Sequence, residues 1–295
     1  MTVDQKLNII YILSEKSSGS SFLFRSLNEA LGIHEYPVTK HFESETLYWT
    51  KAASVLHLPQ LKMLASSVPY SAMRARTEIV DFLELNLGFL PPHNDDKQLI
   101  FRGWFEIIKK FGPTFIEKSP HHLMQNSALQ LMKEFELEYN DVLNCHYVCI
   151  VRNPKDVFLS QFRRWNVNPI ELENQWIINY MNWFSFSSSS PEKCTLLKYE
   201  DLVLNQAEIT SRICSALGVD SQTTFKESSR KSKASKQSSF FGHTFSESVY
   251  HLASLLGYTK QDIAGRSNLR WSIYHRYIRF IYSPAKRLYT SLRGI

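Results

Sequence analysis

Two short segments constrain this chain more than any other feature, because each sets a phosphate-binding device where an apolar strand gives way to a helix. The first runs from Tyr11 to Leu23 and reads Tyr-Ile-Leu-Ser-Glu-Lys-Ser-Ser-Gly-Ser-Ser-Phe-Leu. The apolar run Leu7 to Leu13 predicts a buried strand. The small residues Ser17, Ser18, Ser20 and Ser21 around Gly19 allow a tight turn into a helix starting near Phe22. Backbone N–H groups at such a helix start converge on an anion, and the helix dipole favours it. The second segment runs from Val148 to Ser160. A buried strand ends at Arg152, Pro154 suits the first turn of a helix, and Ser160 follows on that helix. Arginine clamps a phosphate with two parallel bonds, and a serine hydroxyl adds a third.

These residues resemble the sulfotransferases that use 3′-phosphoadenosine-5′-phosphosulfate (PAPS). In that family the first strand-loop-helix reads Lys/Arg-Ser-Gly-Thr/Ser-Thr/Ser and holds the 5′-phosphosulfate. The second reads Arg-Asn-Pro-x-Asp with a serine further on and holds the 3′-phosphate. Arg152-Asn-Pro-Lys-Asp156 and Ser160 match the second pattern position by position. In the first, aligning Ser18 to Ser21 with the family loop puts Ser17 where the basic residue stands, with Lys16 one place earlier. The resemblance implies a PAPS donor, with 3′-phosphoadenosine-5′-phosphate (PAP) as product, and no metal. It spans residues 7 to about 220 of the 295.

The remaining strand candidates are Thr114 to Glu117, Tyr147 to Val151 and Thr195 to Lys198, separated by stretches of helical periodicity. The alternation predicts a three-layer α/β, P-loop-like fold, with a mainly parallel central sheet flanked by helices and ligands bound beyond the carboxyl ends of the strands. Length and 43% hydrophobic content suit one domain over residues 1–295. Met73 to Phe111 reads as helical with a break at Pro91 to Asp95, and is expected to shape the acceptor side. Lys226 to Ser239 is polar and basic and reads as a loop. The family closes a basic segment from this part of the chain over the 3′-phosphate, which makes Arg230 and Lys231 candidates by position. The region 244–295 reads as helical, and from Leu269 onward interleaves aromatic and basic residues. A terminal helix packed on the core is favoured there over contact with a membrane surface.

Net charge of +6 and pI near 9.0 favour anionic ligands. A polyanionic nucleotide accounts for this, and no zinc-finger, helix-turn-helix or RNA-recognition signature points to nucleic acid. Cys145, Cys149, Cys194 and Cys214 have neither metal-ligand spacing nor the density of a disulfide scaffold, so reduced buried thiols are expected. Strand-forming residues begin almost at Met1, which predicts neither signal peptide nor amino-terminal anchor and a cytoplasmic enzyme.

Sulfuryl transfer asks a protein to align a hydroxyl with a leaving phosphate and to stabilise developing charge. For the cation, Lys118 in Glu117-Lys-Ser-Pro comes first, resembling the Glu-Lys-Thr/Ser-Pro of several carbohydrate and bacterial sulfotransferases, and Lys16 second. For the base, His41, His121, His122 and Glu43 compete. The family's carbohydrate enzymes place a glutamate where Val38 to Glu43 has Thr39, and its cytosolic enzymes place a histidine two residues after the lysine, where this chain has three. Histidine accepts a hydroxyl proton near neutral pH, which ranks His41 before His121 and then Glu43. Tyr48 and Trp49 are expected in the core rather than stacked on an acceptor. Glu200 and Asp201, after the last strand, suit a helix start and a structural role. The basic surroundings and the resemblance of Glu117-Lys-Ser-Pro to glycan enzymes lead to the expectation of a hydroxyl acceptor, with a carbohydrate favoured. A P-loop small-molecule kinase is the alternative, although the Walker spacing is absent and Gly19 is the loop's only glycine. A third reading is a nucleotide-binding homologue without activity.

Overall fold

The computed structural model describes residues 6–219, 243–264 and Ile273. The loop bearing Arg230 and Lys231, and all but Ile273 of the aromatic and basic carboxyl-terminal stretch, lie outside these residues.

Four parallel strands form the sheet, in the order β2 (Thr114–Lys118), β1 (Leu7–Ser14), β3 (Leu143–Val151) and β4 (Cys194–Lys198). Each predicted strand is present, and β3 starts earlier than Tyr147, at Leu143. The register pairs Ile12 with Lys118, Ser14 with Ile150 and Val151 with Lys198, so the strand ends that carry the motifs lie side by side. Strand β1 carries an unbroken, largely apolar run from Ile9 to Leu13 because both its faces are covered. Ile9, Tyr11 and Leu13 enter one core, Ile10 and Ile12 the other, and all five are 0% exposed.

On the Ile10 face lie α1 (Ser20–Leu31), α8 (Tyr199–Leu204) and α9 (Gln206–Ala216). The other face carries α2 (Tyr48–Val55), α3 (Ala72–Leu87), α4 (Asp96–Phe111), α5 (Asn126–Glu138), α6 (Pro154–Trp165) and α7 (Pro169–Ser188). The helix after β1 and the helix after β3 therefore leave these adjacent strands on opposite sides. A crevice opens between them at this switch in direction, where open α/β sheets bind ligands.

Tyr48 and Trp49 lie in the core, as expected. Tyr48 stacks on Trp104 with ring centroids 4.4 Å apart and donates its hydroxyl to the Ile100 carbonyl at 2.7 Å. Trp49 is 0% exposed. The break between α3 and α4 coincides with the proline turn, and Asp95 caps α4 by accepting from the Gln98 N–H at 2.8 Å.

Candidate functional site

The loop after β1 is built around a buried carboxylate. Glu15 is 0% exposed, and its Oε1 accepts from Gln161 at 2.7 Å, Gln175 at 2.9 Å and the Lys16 N–H at 3.0 Å, while Oε2 accepts from Asn179. Burial raises the Glu15 pKa, and the donors around it oppose that shift. With this hub fixed, the chain turns through Ser17 (φ 66°) and Gly19 (φ 95°) into α1. Glycine is required there twice over: a left-handed φ disfavours a side chain, and a Cβ would lie 2.2 Å from the Tyr199 ring. No side chain caps the start of α1, where the Phe22 N–H donates to the Gly19 carbonyl at 2.9 Å and the positive end of the helix dipole favours an anion.

Arg152 follows β3 and lies against this turn. Its Nη1 donates to the Ser17 carbonyl at 3.2 Å, its guanidinium sits 4.8 Å from the centre of the Tyr199 ring, and its Nη2 is 3.8 Å from Asp156. Arg152 Nε and the Ser17 hydroxyl are both buried without a protein hydrogen-bond partner. Asn153 caps α6, with its Oδ1 accepting from the Lys155 N–H at 3.0 Å, and Pro154 takes the first turn. Ser160 stands on the same helix. Glu200 accepts from the Asn153 N–H at 3.0 Å and the Tyr258 hydroxyl at 2.7 Å, a structural role that ties α8 to the start of α6.

At the end of β2, Lys118 is fully buried, with its ammonium 3.3 Å from the Ser21 hydroxyl and 3.2 Å from Glu45 Oε1. The hydroxyl of Ser21 also donates to Glu43. His121 Nδ1 lies 3.7 Å from Glu45 Oε2. Burial raises the Glu45 pKa, partly offset by Lys118, and burial together with nearby lysines holds His121 well below the usual imidazole value. Lys16 reaches the far side, donating to the Leu64 and Ala65 carbonyls at 3.0 Å each. Burial lowers the Lys16 pKa, against the pull of Glu15 and Glu45.

A cavity of about 440 Å³ gathers these groups. Its walls include Lys16, Ser17, Gly19, Ser20, Ser21, Glu43, His121, Arg152 and Ser160 from the residues expected by sequence. Lys118 lies immediately behind Ser21 and Glu45. Ser18 is buried and does not line the cavity. His41 stands apart, beside Lys51 and Glu78 in a separate small pocket, with its Nε2 3.5 Å from Glu78. His122 is 0% exposed and bridges Thr50 (2.8 Å) and Glu117 (3.3 Å) within the protein. The sequence reading missed Glu45, Tyr199, Arg25, Arg164 and Trp165, which also form the walls. Glu45 lies two residues beyond Glu43 in the same short acidic stretch, which is the sequence signal for it. The other four were hidden because sequence spacing does not reveal which helix face meets the crevice.

A left-handed glycine turn after β1, an arginine after the adjacent β3 and a buried lysine at the end of β2 lie together at one end of a parallel sheet in an α/β protein of P-loop-like fold. The Sulfotransferase family profile matches residues 10–223, and the chain belongs to that family. The sulfotransferase domain of the Synechococcus PCC 7002 olefin synthase shares the fold, with 19% identity, a TM-score of 0.55, and coverage of 86% of this chain and 97% of that one. The sulfotransferase domain of the curacin biosynthetic pathway matches at 21% identity and a TM-score of 0.48, covering 84% and 82% of the two chains. A mouse sulfotransferase complexed with PAP matches at 14% identity and 0.39, covering 98% and 87%. No curated protein sequence matches the chain. Among the described residues, no helix is long and apolar enough to cross a membrane, and no cluster of metal-ligating side chains occurs.

Proposed function

We propose that this sulfotransferase moves a sulfuryl group from PAPS to a hydroxyl acceptor, with the nucleotide held between the 14–21 loop and Arg152. The carrying observation is the convergence on one cavity of the uncapped α1 start and Arg152, whose Nε lacks a protein partner. A 5′-phosphosulfate fits the first and a 3′-phosphate fits Arg152 and Ser160, while Tyr199 offers a ring beside them. The Arg230 and Lys231 segment would add to the 3′-phosphate site. No metal is needed in this scheme, since the donor brings its own leaving group.

In the reaction, the acceptor oxygen forms a bond to sulfur as the bond from sulfur to the 5′-phosphate oxygen breaks. Lys118 supplies positive charge where that oxygen becomes anionic. The acceptor proton passes to a base, and Glu45 is favoured for this role over Glu43, His121 and His41. It lines the cavity beside Lys118, and burial shifts its pKa towards the working pH. His121 beside it is held neutral and serves to orient the acceptor. Trp165, 40% exposed at the cavity wall with Lys16 Nζ 5.4 Å and the Arg164 guanidinium 5.5 Å from its ring centre, adds mixed aromatic and cationic surface that suits a hydroxyl-rich acceptor such as a sugar. The test is PAP release from PAPS in a screen of hydroxyl acceptors. Sugar-stimulated release supports the reading, and nucleotide binding with no release under any acceptor favours an inactive homologue.

A further inference from the structure

The segment that carries Glu45 is held in an unusual backbone. Glu43 (φ 56°), Ser44 (φ 60°) and Leu47 (φ 55°) are all left-handed without being glycine. A left-handed backbone is strained for any residue with a side chain and persists only where its surroundings fix it.

The fixing group is Glu117, whose side chain is 0% exposed. Its Oε1 accepts from the Thr46 hydroxyl at 2.8 Å and the Ser119 hydroxyl at 2.6 Å. Ser119 Oγ in turn accepts from the Leu47 N–H at 2.9 Å. Burial opposes ionisation of Glu117, but His122, Ser119 and Thr46 together hold its pKa below the ordinary carboxylate value. From the other side, Lys51 donates to the Thr46 carbonyl at 3.2 Å and pairs with Glu78 at 3.1 Å. Thr46 follows Glu45 in the chain, and Lys118 follows Glu117. The Thr46–Glu117 bond and the Glu45–Lys118 pair at 3.2 Å are thus adjacent rungs between the same two segments.

We propose that Glu117 is a positioning residue for the transfer, and that through Thr46 and Ser119 its carboxylate sets Glu45 opposite Lys118. The inference rests on the reading of Glu45 and Lys118 given above. It assigns a task to a buried acid that the chemistry itself does not use.

Thr46→Val removes the donor at nearly constant volume, whereas Glu117→Gln keeps an acceptor for both hydroxyls. Three quantities are measured for each: calorimetric PAP affinity, PAP release from PAPS, and amide hydrogen exchange across residues 42–47. For Thr46→Val, exchange across 42–47 accelerates, PAP release slows roughly tenfold to hundredfold, and PAP affinity stays within about twofold. Glu117→Gln stays close to the parent protein in all three. Unchanged exchange and PAP release in Thr46→Val overturn the proposal, as does a loss of PAP affinity equal to the loss of release. Glu45→Gln, run in parallel, separates the two claims. If it leaves release intact while Thr46→Val still loosens the segment, the base assignment falls and the positioning role stands. If Glu45→Gln slows release and Thr46→Val changes nothing, only the positioning role falls.

Discussion

Arg152 meets the Ser17 carbonyl and the Tyr199 ring but keeps its buried Nε without a protein partner. Arg152→Ala is therefore expected to weaken PAP binding by more than about tenfold, because a charge-assisted bond to phosphate is lost. Binding of adenosine 5′-phosphate should change little. Equal losses for the two nucleotides in calorimetry would remove the 3′-phosphate assignment. Lys118, buried against Ser21 and Glu45, is expected to act on charge that exists only in the transition state, so Lys118→Ala should depress kcat more than PAP affinity. Lost affinity with unchanged kcat would make it an anchor. Glu45 supplies the pH dependence. Burial raises its pKa, so it holds its proton to higher pH than an ordinary carboxylate, and the base form grows as pH rises. The rate should thus climb with pH along an acid limb lying above that of an ordinary carboxylate. In Glu45→Gln that limb should vanish, and a limb that survives would transfer the role to another group.

The turn from β1 into α1 depends on Gly19 more than on any serine in it. Gly19→Ala forces a Cβ into the Tyr199 ring at a φ of 95°, so a loss of roughly 1–3 kcal/mol in stability is expected, together with lost PAP binding. A variant that keeps its Tm and its PAP affinity would show that the turn does not need this close approach. The same element explains what was legible beforehand. Strands β1 and β3 are apolar on both faces and are followed at once by their motif, so Arg152, Ser160 and the loop were readable from local spacing alone. The core places of Tyr48 and Trp49 were readable from their apolar character. The placement of Glu45 beside Lys118 was not, because the neighbouring Thr46 and Leu47 are tied to Glu117 and Ser119, more than seventy positions away in the chain. His41, ranked first by chemistry, is carried to Glu78 and Lys51 instead, while Glu45 is turned to Lys118. Similarly, no local pattern announces that Glu15, next to Lys16, is the buried hub of the loop, since its partners Gln161, Gln175 and Asn179 come from α6 and α7.

Across the molecule, the sheet separates two cores, and the cavity lined by Ser20, Arg152 and Lys16 opens where α1 and α6 diverge. All four cysteines are unpaired, as expected from their spacing, and burial raises the pKa of each, Cys194 to about 11. A thiol reagent such as Ellman's should accordingly find no fast-reacting group in the native protein and all four after denaturation. A rapidly labelled thiol would contradict the packing of the element that carries it: β3 for Cys145 and Cys149, β4 for Cys194, α9 for Cys214. The donor itself is tested by isothermal titration of the protein with PAP, set beside ADP and ATP with Mg²⁺. A dissociation constant for PAP in the micromolar range or tighter, with little binding of ATP, is the predicted result. Preference for ATP would contradict it and point to phosphoryl transfer.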